Sequence, residues 1–148
     1  MNVFSANVKD IKSFKSLLSI VKDIVIDTTL IITKNGINLT SLNNSKNILL
    51  HFELPYTDFS DYICLVDKLI ITTGSQHLYK IISKISNKSI LNLCIKDEDY
   101  IDFNVRFLTL NIDNTLIKIK LHENPSTENE LPISNSNKNV LDLVLPVF

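Results

Sequence analysis

The stretch from Lys9 to Lys22, KDIKSFKSLLSIVK, and the stretch from Gln76 to Lys88, QHLYKIISKISNK, follow one template. Phe14, Leu17, Leu18 and Val21 in the first, and Leu78, Ile81, Ile82 and Ile85 in the second, are spaced i, i+3, i+4, i+7. At 3.6 residues per turn, that spacing lines four apolar side chains along one face of an amphipathic helix. The opposite faces are basic: Lys9, Lys12, Lys15, Lys22, Lys80, Lys84 and Lys88 stand against a single acid, Asp10. Seven of the 15 basic residues and one of the 16 acids therefore lie in these two windows, a charge of +6, and the other eight basic and 15 acidic residues leave −7 elsewhere. Asp23 lies one residue outside the first window and shifts the split by only one unit. The overall charge of −1 hides this separation. Positive charge confined to two helical faces points to a polyanionic partner, the ordinary alternative being a solvated helix face.

Working outward, Asn2 to Val8 reads as a short strand, and Asn7 or Asp10 offers a polar start for the first helix, which should run to about Lys22. Ile24 to Thr33 is rich in β-branched residues and leads into Asn35-Gly36. That dipeptide predicts positive backbone angles and a tight hairpin, with Ile37 to Leu42 folding back antiparallel. Asn43-Asn44-Ser45 is a second turn signal before a strand from Ile48 to Leu54, which Pro55 closes. Asp61 to Val66 and Lys68 to Thr72 are extended, and Gly74 precedes a second helix from about Ser75 to Ser86. Period-2 alternation then resumes in Leu91, Leu93 and Ile95, in Ile101, Phe103, Val105 and Phe107, and in Leu116 to Leu121. The order strand, helix, strands occurs twice, with the helix stripes offset by 64 residues. The expected fold is α+β, with two helices packed on one face of a curved, continuous antiparallel sheet.

At 148 residues and 45% hydrophobic, the chain is long enough to bury the core of one ordinary domain. No apolar run approaches the ~20 residues of a membrane helix, and MNVFSANVKD lacks a signal-peptide layout, so a soluble, intracellular protein is expected. Cys64 and Cys94 lack CxxC spacing and sit in strand-like runs, as small buried hydrophobes do. His51, His77 and His122 are scattered, no HExxH or GxSxG motif occurs, and two glycines cannot build a phosphate-binding loop. Asp97-Glu98-Asp99 reads as a solvated turn rather than a metal site. Neither catalysis nor a metal or other cofactor is expected. From His122 to Asn139 periodicity disappears, and Val140 to Phe148 is again strand-like. Residues 1–121 are thus expected to form one domain, 122–139 a connector, and 140–148 the first strand of a second domain that is otherwise absent.

Phe4-Ser5-Ala6 followed by a helix, the segment Asn35-Gly36-Ile37-Asn38-Leu39-Thr40-Ser41-Leu42, Phe59, Tyr62, the Gly74 helix entry and Leu131-Pro132-Ile133 together resemble the eukaryotic-type sliding clamps, the PCNA family. The resemblance covers essentially the whole chain, as an N-terminal clamp domain, its interdomain connector and the first strand of domain two. It implies a subunit of a closed trimer that encircles duplex DNA, confers processivity on a DNA polymerase, is placed by a clamp loader, and recruits replication and repair proteins. A nuclear location, or a viral replication compartment, goes with that role. Lys15, Lys22 and Lys80 match pore-lining lysines of the family, Ser16 and Ser83 stand where lysine is usual, and Lys12 and Lys84 lie close enough to supply the missing charge. Lysines on rigid helices hold phosphates as point charges without reading sequence, which permits sliding.

By the same resemblance, Leu42, Lys46, Asn47, Leu49, Leu131 and Ile133 are expected to receive the PCNA-interacting peptides of partners. Asn47 departs from the apolar residue usual there, and Leu131 and Ile133 could equally pin the connector to the sheet. Thr115, Ile117, Ile119 and Leu121 match the edge strand that pairs with a neighbouring subunit. A homotrimer is implied for the full-length protein and a monomer for this fragment alone. The alternatives are a checkpoint-clamp subunit of a heterotrimer, and a peptide-binding adaptor domain that does not encircle DNA.

Overall fold

A computed structural model describes residues 1–122 and the backbone of 141–145. The elements run β1 (Asn2–Val8), α1 (Ile11–Ile24), β2 (Asp27–Thr33), β3 (Gly36–Leu42), β4 (Ile48–Pro55), β5 (Phe59–Cys64), β6 (Leu69–Gly74), α2 (Ser75–Ser83) and β7 (Leu91–Lys96). They continue with β8 (Tyr100–Ile101), β9 (Asn104–Val105), β10 (Phe107–Ile112), β11 (Thr115–Lys120) and β12 (Leu141–Leu145). The expected antiparallel α+β architecture with two helices is present. Its strand layer is divided into two five-stranded sheets, ordered β11-β10-β7-β1-β5 and β12-β4-β3-β2-β6.

The division follows the duplication. Each helix is followed by a three-stranded meander, β2-β3-β4 after α1 and β7-β10-β11 after α2, while the strand before each helix joins the other half's sheet. β1 lies against β7, with Phe4 opposite Ile95, and β6 lies against β2, with Ile71 opposite Leu30. The exchange ties both halves into one core. Phe4, Leu39, Leu50, Ile82, Leu91 and Leu110 are among its fully buried side chains.

Asp10, rather than Asn7, caps α1. Its carboxylate accepts from the Ser13 backbone N–H at 3.1 Å and from the Ser13 hydroxyl at 2.8 Å. These bonds favour the ionised form and hold the Asp10 pKa below the ordinary value. Ile11, Phe14, Leu17, Leu18 and Val21 bury the apolar stripe of α1. α2 ends at Ser83, short of the expected Ser86, yet Ile85 still reaches the core with Leu78 and Ile82. Ile81, the second residue of that stripe, is only partly buried.

Two expectations fail locally. Neither Lys34 nor Asn35, the two loop residues between β2 and β3, has positive φ; only Gly36 does, at 147°. Glycine is needed there because a Cβ would collide with the Leu54 carbonyl oxygen and come within 2.8 Å of the Pro55 Cα. The second failure is the single strand expected through Ile101, Phe103, Val105 and Phe107. The chain reverses instead at Asp102 and Phe103, φ 53° and 64°, so that Tyr100 pairs with Val105 and Ile101 with Asn104. Two successive positive φ values make this the primed turn whose twist matches a tight hairpin.

Cys64 and Cys94 are free and buried, and burial pushes both thiols up. Tyr62 packs on Phe4 and Phe59, with ring centroids 5.5 and 5.6 Å away. Its hydroxyl donates to the Thr33 carbonyl, and burial raises its pKa. β12 runs parallel to β4, Leu143 opposite Leu50. The connector beyond His122 and the remainder of 140–148 lie outside the described residues.

Candidate nucleic-acid interface

α1 and α2 pack side by side, and their contact is visible in one side-chain pair: the Lys22 ammonium lies 5.0 Å from the centroid of the Tyr79 ring. With both apolar stripes against the sheets, the lysines are left on the other side. Lys12, Lys80 and Lys84 are exposed and Lys15 is partly exposed. Among the described residues no acid lies within ion-pair distance of these four. Their charge is therefore available to an external anion. Lys22 and Lys80 also occupy the last turns of their helices and Lys84 the cap position of α2, where a cation meets the negative end of the helix dipole.

Two other lysines are engaged. The Lys9 ammonium donates to the Thr57 carbonyl at 2.9 Å. Lys22 pairs with Asp23 at 2.8 Å, its side chain only 24% exposed, and the carboxylate raises the lysine's pKa. Ser16 and Ser83 turn their hydroxyls to the carbonyls of Lys12 and Lys80, at 3.1 Å in each case, and add no charge. Tyr79 escaped sequence reasoning: it lies outside the apolar stripe and its partner is 57 positions away. Asp23 was legible as the acid just beyond the basic window, but its ion pair was not.

β11 pairs with β10 alone among the described residues, leaving its other edge free. Of the residues expected at a subunit contact, Thr115 is exposed and Ile117 partly buried, whereas Ile119 and Leu121 belong to the core. Ile117 and Ile112 form, with Ile81 and Ile85 beyond them, the apolar part of a groove of about 570 Å³ between this edge and α2. Ile81 is thus spared from the core to line a surface. Lys118 is held on β11 by Asp99, the residue before β8, at 3.2 Å.

Leu42 and Leu49 face each other across β3 and β4, Leu42 partly buried and Leu49 buried. Lys46 stands exposed in the connecting loop with φ 57°. Asn47 is a turn lock: its side-chain oxygen accepts from Asn43 at 2.7 Å and from Ser45 at 3.2 Å, and the Asn43 oxygen accepts the Asn47 and Ile48 backbone N–H groups. This explains a polar residue in that loop. Leu131 and Ile133 lie outside the described residues.

Comparison with known proteins decides what this arrangement belongs to. The family described as proliferating cell nuclear antigen, N-terminal domain, matches residues 3–125. The chain belongs to the PCNA family. A DNA polymerase sliding clamp of Nanoarchaeum equitans is 25% identical over 134 residues, covering 90% of this chain and 52% of that protein. The crystal structure of the proliferating cellular nuclear antigen from Entamoeba histolytica superposes with a TM-score of 0.75 at 21% identity, over 89% of this chain and 52% of that one. The PCNA-family chain described here thus spans about half the length of each of these relatives. The shared fold includes the antiparallel sheets and the two helices that carry the lysines.

Proposed function

We propose that this chain is the N-terminal half of a sliding-clamp subunit that encircles duplex DNA, acts as a DNA polymerase processivity factor, and recruits replication and repair proteins through their peptide motifs. The observation that carries the reading is a set of lysines on two adjacent helices and the cap of the second, Lys12, Lys80 and Lys84 exposed and Lys15 partly exposed, without a described acid in ion-pair range. Such a surface attracts a phosphate backbone through counterion release and reads no base, so duplex can move along it. A closed ring then converts weak attraction into topological retention. The open edge of β11 and its isoleucine-lined groove support head-to-tail assembly with another subunit. The Leu42 and Leu49 pair supports peptide docking beside the connector. A clamp loader would close the trimer in the nucleus or in a viral replication compartment, and no catalytic step is assigned to the chain.

The test is charge reversal. In the intact protein loaded on circular DNA, Lys80→Glu and Lys15→Glu should each weaken duplex affinity by on the order of tenfold near 0.1 M salt and flatten its salt dependence. Polymerase processivity should fall in parallel. Unchanged loading and processivity in both variants would remove the helices from the DNA path.

A further inference from the structure

Asp23 continues the line Lys12, Ser16, Ser19 along α1 at spacings of four, seven and eleven residues, opposite the apolar stripe. It is therefore an acid on the lysine-bearing side, with its side chain 69% exposed. Lys22 lines two neighbouring hollows. One, of about 460 Å³, is lined by Lys22, Gln76, His77, Tyr79, Lys80 and Ser83 and contains no acid on its wall. The other is lined by Asp23 together with Ile26, Gln76 and His77. The Lys22 ammonium lies over the Tyr79 ring, and Asp23 neutralises it at 2.8 Å.

We infer that Asp23 is an internal competitor for the backbone phosphate that Lys22 would otherwise hold, making that contact easy to form and to release. The inference rests on the duplex-binding role proposed above. A phosphate entering the acid-free cleft must either displace the carboxylate or sit near a second anion, and both weaken the contact. A moving clamp benefits from such a contact, since it centres the duplex without anchoring it. Asp23 thereby sets grip rather than presence on DNA.

Equilibrium binding of the intact protein to a short fluorescent duplex, followed across a salt series, tests this in five proteins: wild type, Asp23→Asn, Lys22→Gln, the double variant, and Lys80→Glu as reference. Asp23→Asn should bind roughly threefold tighter near 0.1 M salt, with a salt slope steeper by about one released counterion. That gain should vanish when Lys22 is already Gln, because the carboxylate then has no cation to withhold. An equal gain in the Lys22→Gln background would show a general field effect and overturn the inference. No gain in Asp23→Asn, while Lys80→Glu weakens binding, would overturn it and leave the duplex-binding role standing. Indifference of Lys80→Glu as well would defeat both. The exposed carboxylate tolerates an isosteric amide, and matching thermal melts confirm that all five proteins are folded.

Discussion

The β2–β3 and β8–β9 hairpins both close over two residues, and they reach that geometry by opposite means. The first carries Asn35-Gly36, the strongest short hairpin signal a sequence offers, yet its loop residues Lys34 and Asn35 have no positive φ. The Thr33 hydroxyl fastens the loop by accepting the Asn35 N–H at 3.2 Å. Gly36 serves the neighbouring strand, where β4 ends at Pro55 directly against it. The second hairpin has no glycine and nonetheless adopts positive φ at both Asp102 and Phe103. A turn signal can therefore mark a steric requirement one position away, and a primed turn can be imposed by its surroundings. Here the surroundings are the Arg106 N–H bonded to the Asp99 carbonyl at 2.8 Å and the buried Asp99 carboxylate held by Lys118.

The largest expected effect breaks the first hairpin. Gly36→Ala would force a Cβ into the Leu54 carbonyl and hold an L side chain at φ 147°. The cost should be about 2–3 kcal/mol. Urea unfolding would show it as a lower midpoint at constant slope. A loss under about 0.5 kcal/mol would mean that β4 moves aside easily and that Gly36 is not sterically required.

The same contrast shows what was legible in the sequence. Both helices could be read because Phe14, Leu17, Leu18 and Val21, and later Leu78 and Ile82, obey a period that only a helix satisfies. Ile101, Phe103, Val105 and Phe107 obey a period of two equally well, but the Asp102–Phe103 turn interrupts it. Alternation alone does not distinguish one strand from a tight hairpin of two short ones. Nor does local pattern encode the exchange of β1 and β6 between sheets, because the choice is made by the tertiary core. At the candidate interface, the exposure of Lys12, Lys80 and Lys84 follows from helix periodicity. The contact of Lys22 with the Tyr79 ring depends on how α2 lies against α1. Asn47 had a turn signal beside it, Asn43-Asn44-Ser45, whose meaning emerged only with the side-chain bonds.

A smaller effect of opposite sign should sharpen the second hairpin. Phe103 is 90% exposed at φ 64°, with the Tyr100 ring 6.5 Å away as its aromatic neighbour. Phe103→Gly removes the clash between Cβ and backbone and gives up little buried surface. Stability should rise by roughly 0.5–1 kcal/mol, the relief of positive φ exceeding the added chain entropy. Thermal denaturation measures the difference directly. A fall in stability would mean that the Tyr100 contact, rather than the turn, holds the phenylalanine in place.

The smallest expected effect is the most discriminating. Were Asn35 the left-handed residue that its sequence suggests, Asn35→Ala would cost about 1 kcal/mol, because alanine lacks the side-chain amide whose local hydrogen bonds offset the left-handed strain. In the observed geometry Asn35 contributes only its backbone, donating to Thr33 and accepting the Tyr56 N–H at 2.9 Å, and alanine preserves both bonds. The change should stay within about 0.5 kcal/mol. Thr33→Val removes the hydroxyl that fastens the loop and should cost more than Asn35→Ala. The reverse order in paired urea titrations would return the turn to Asn35 and leave Gly36 as an ordinary hairpin glycine.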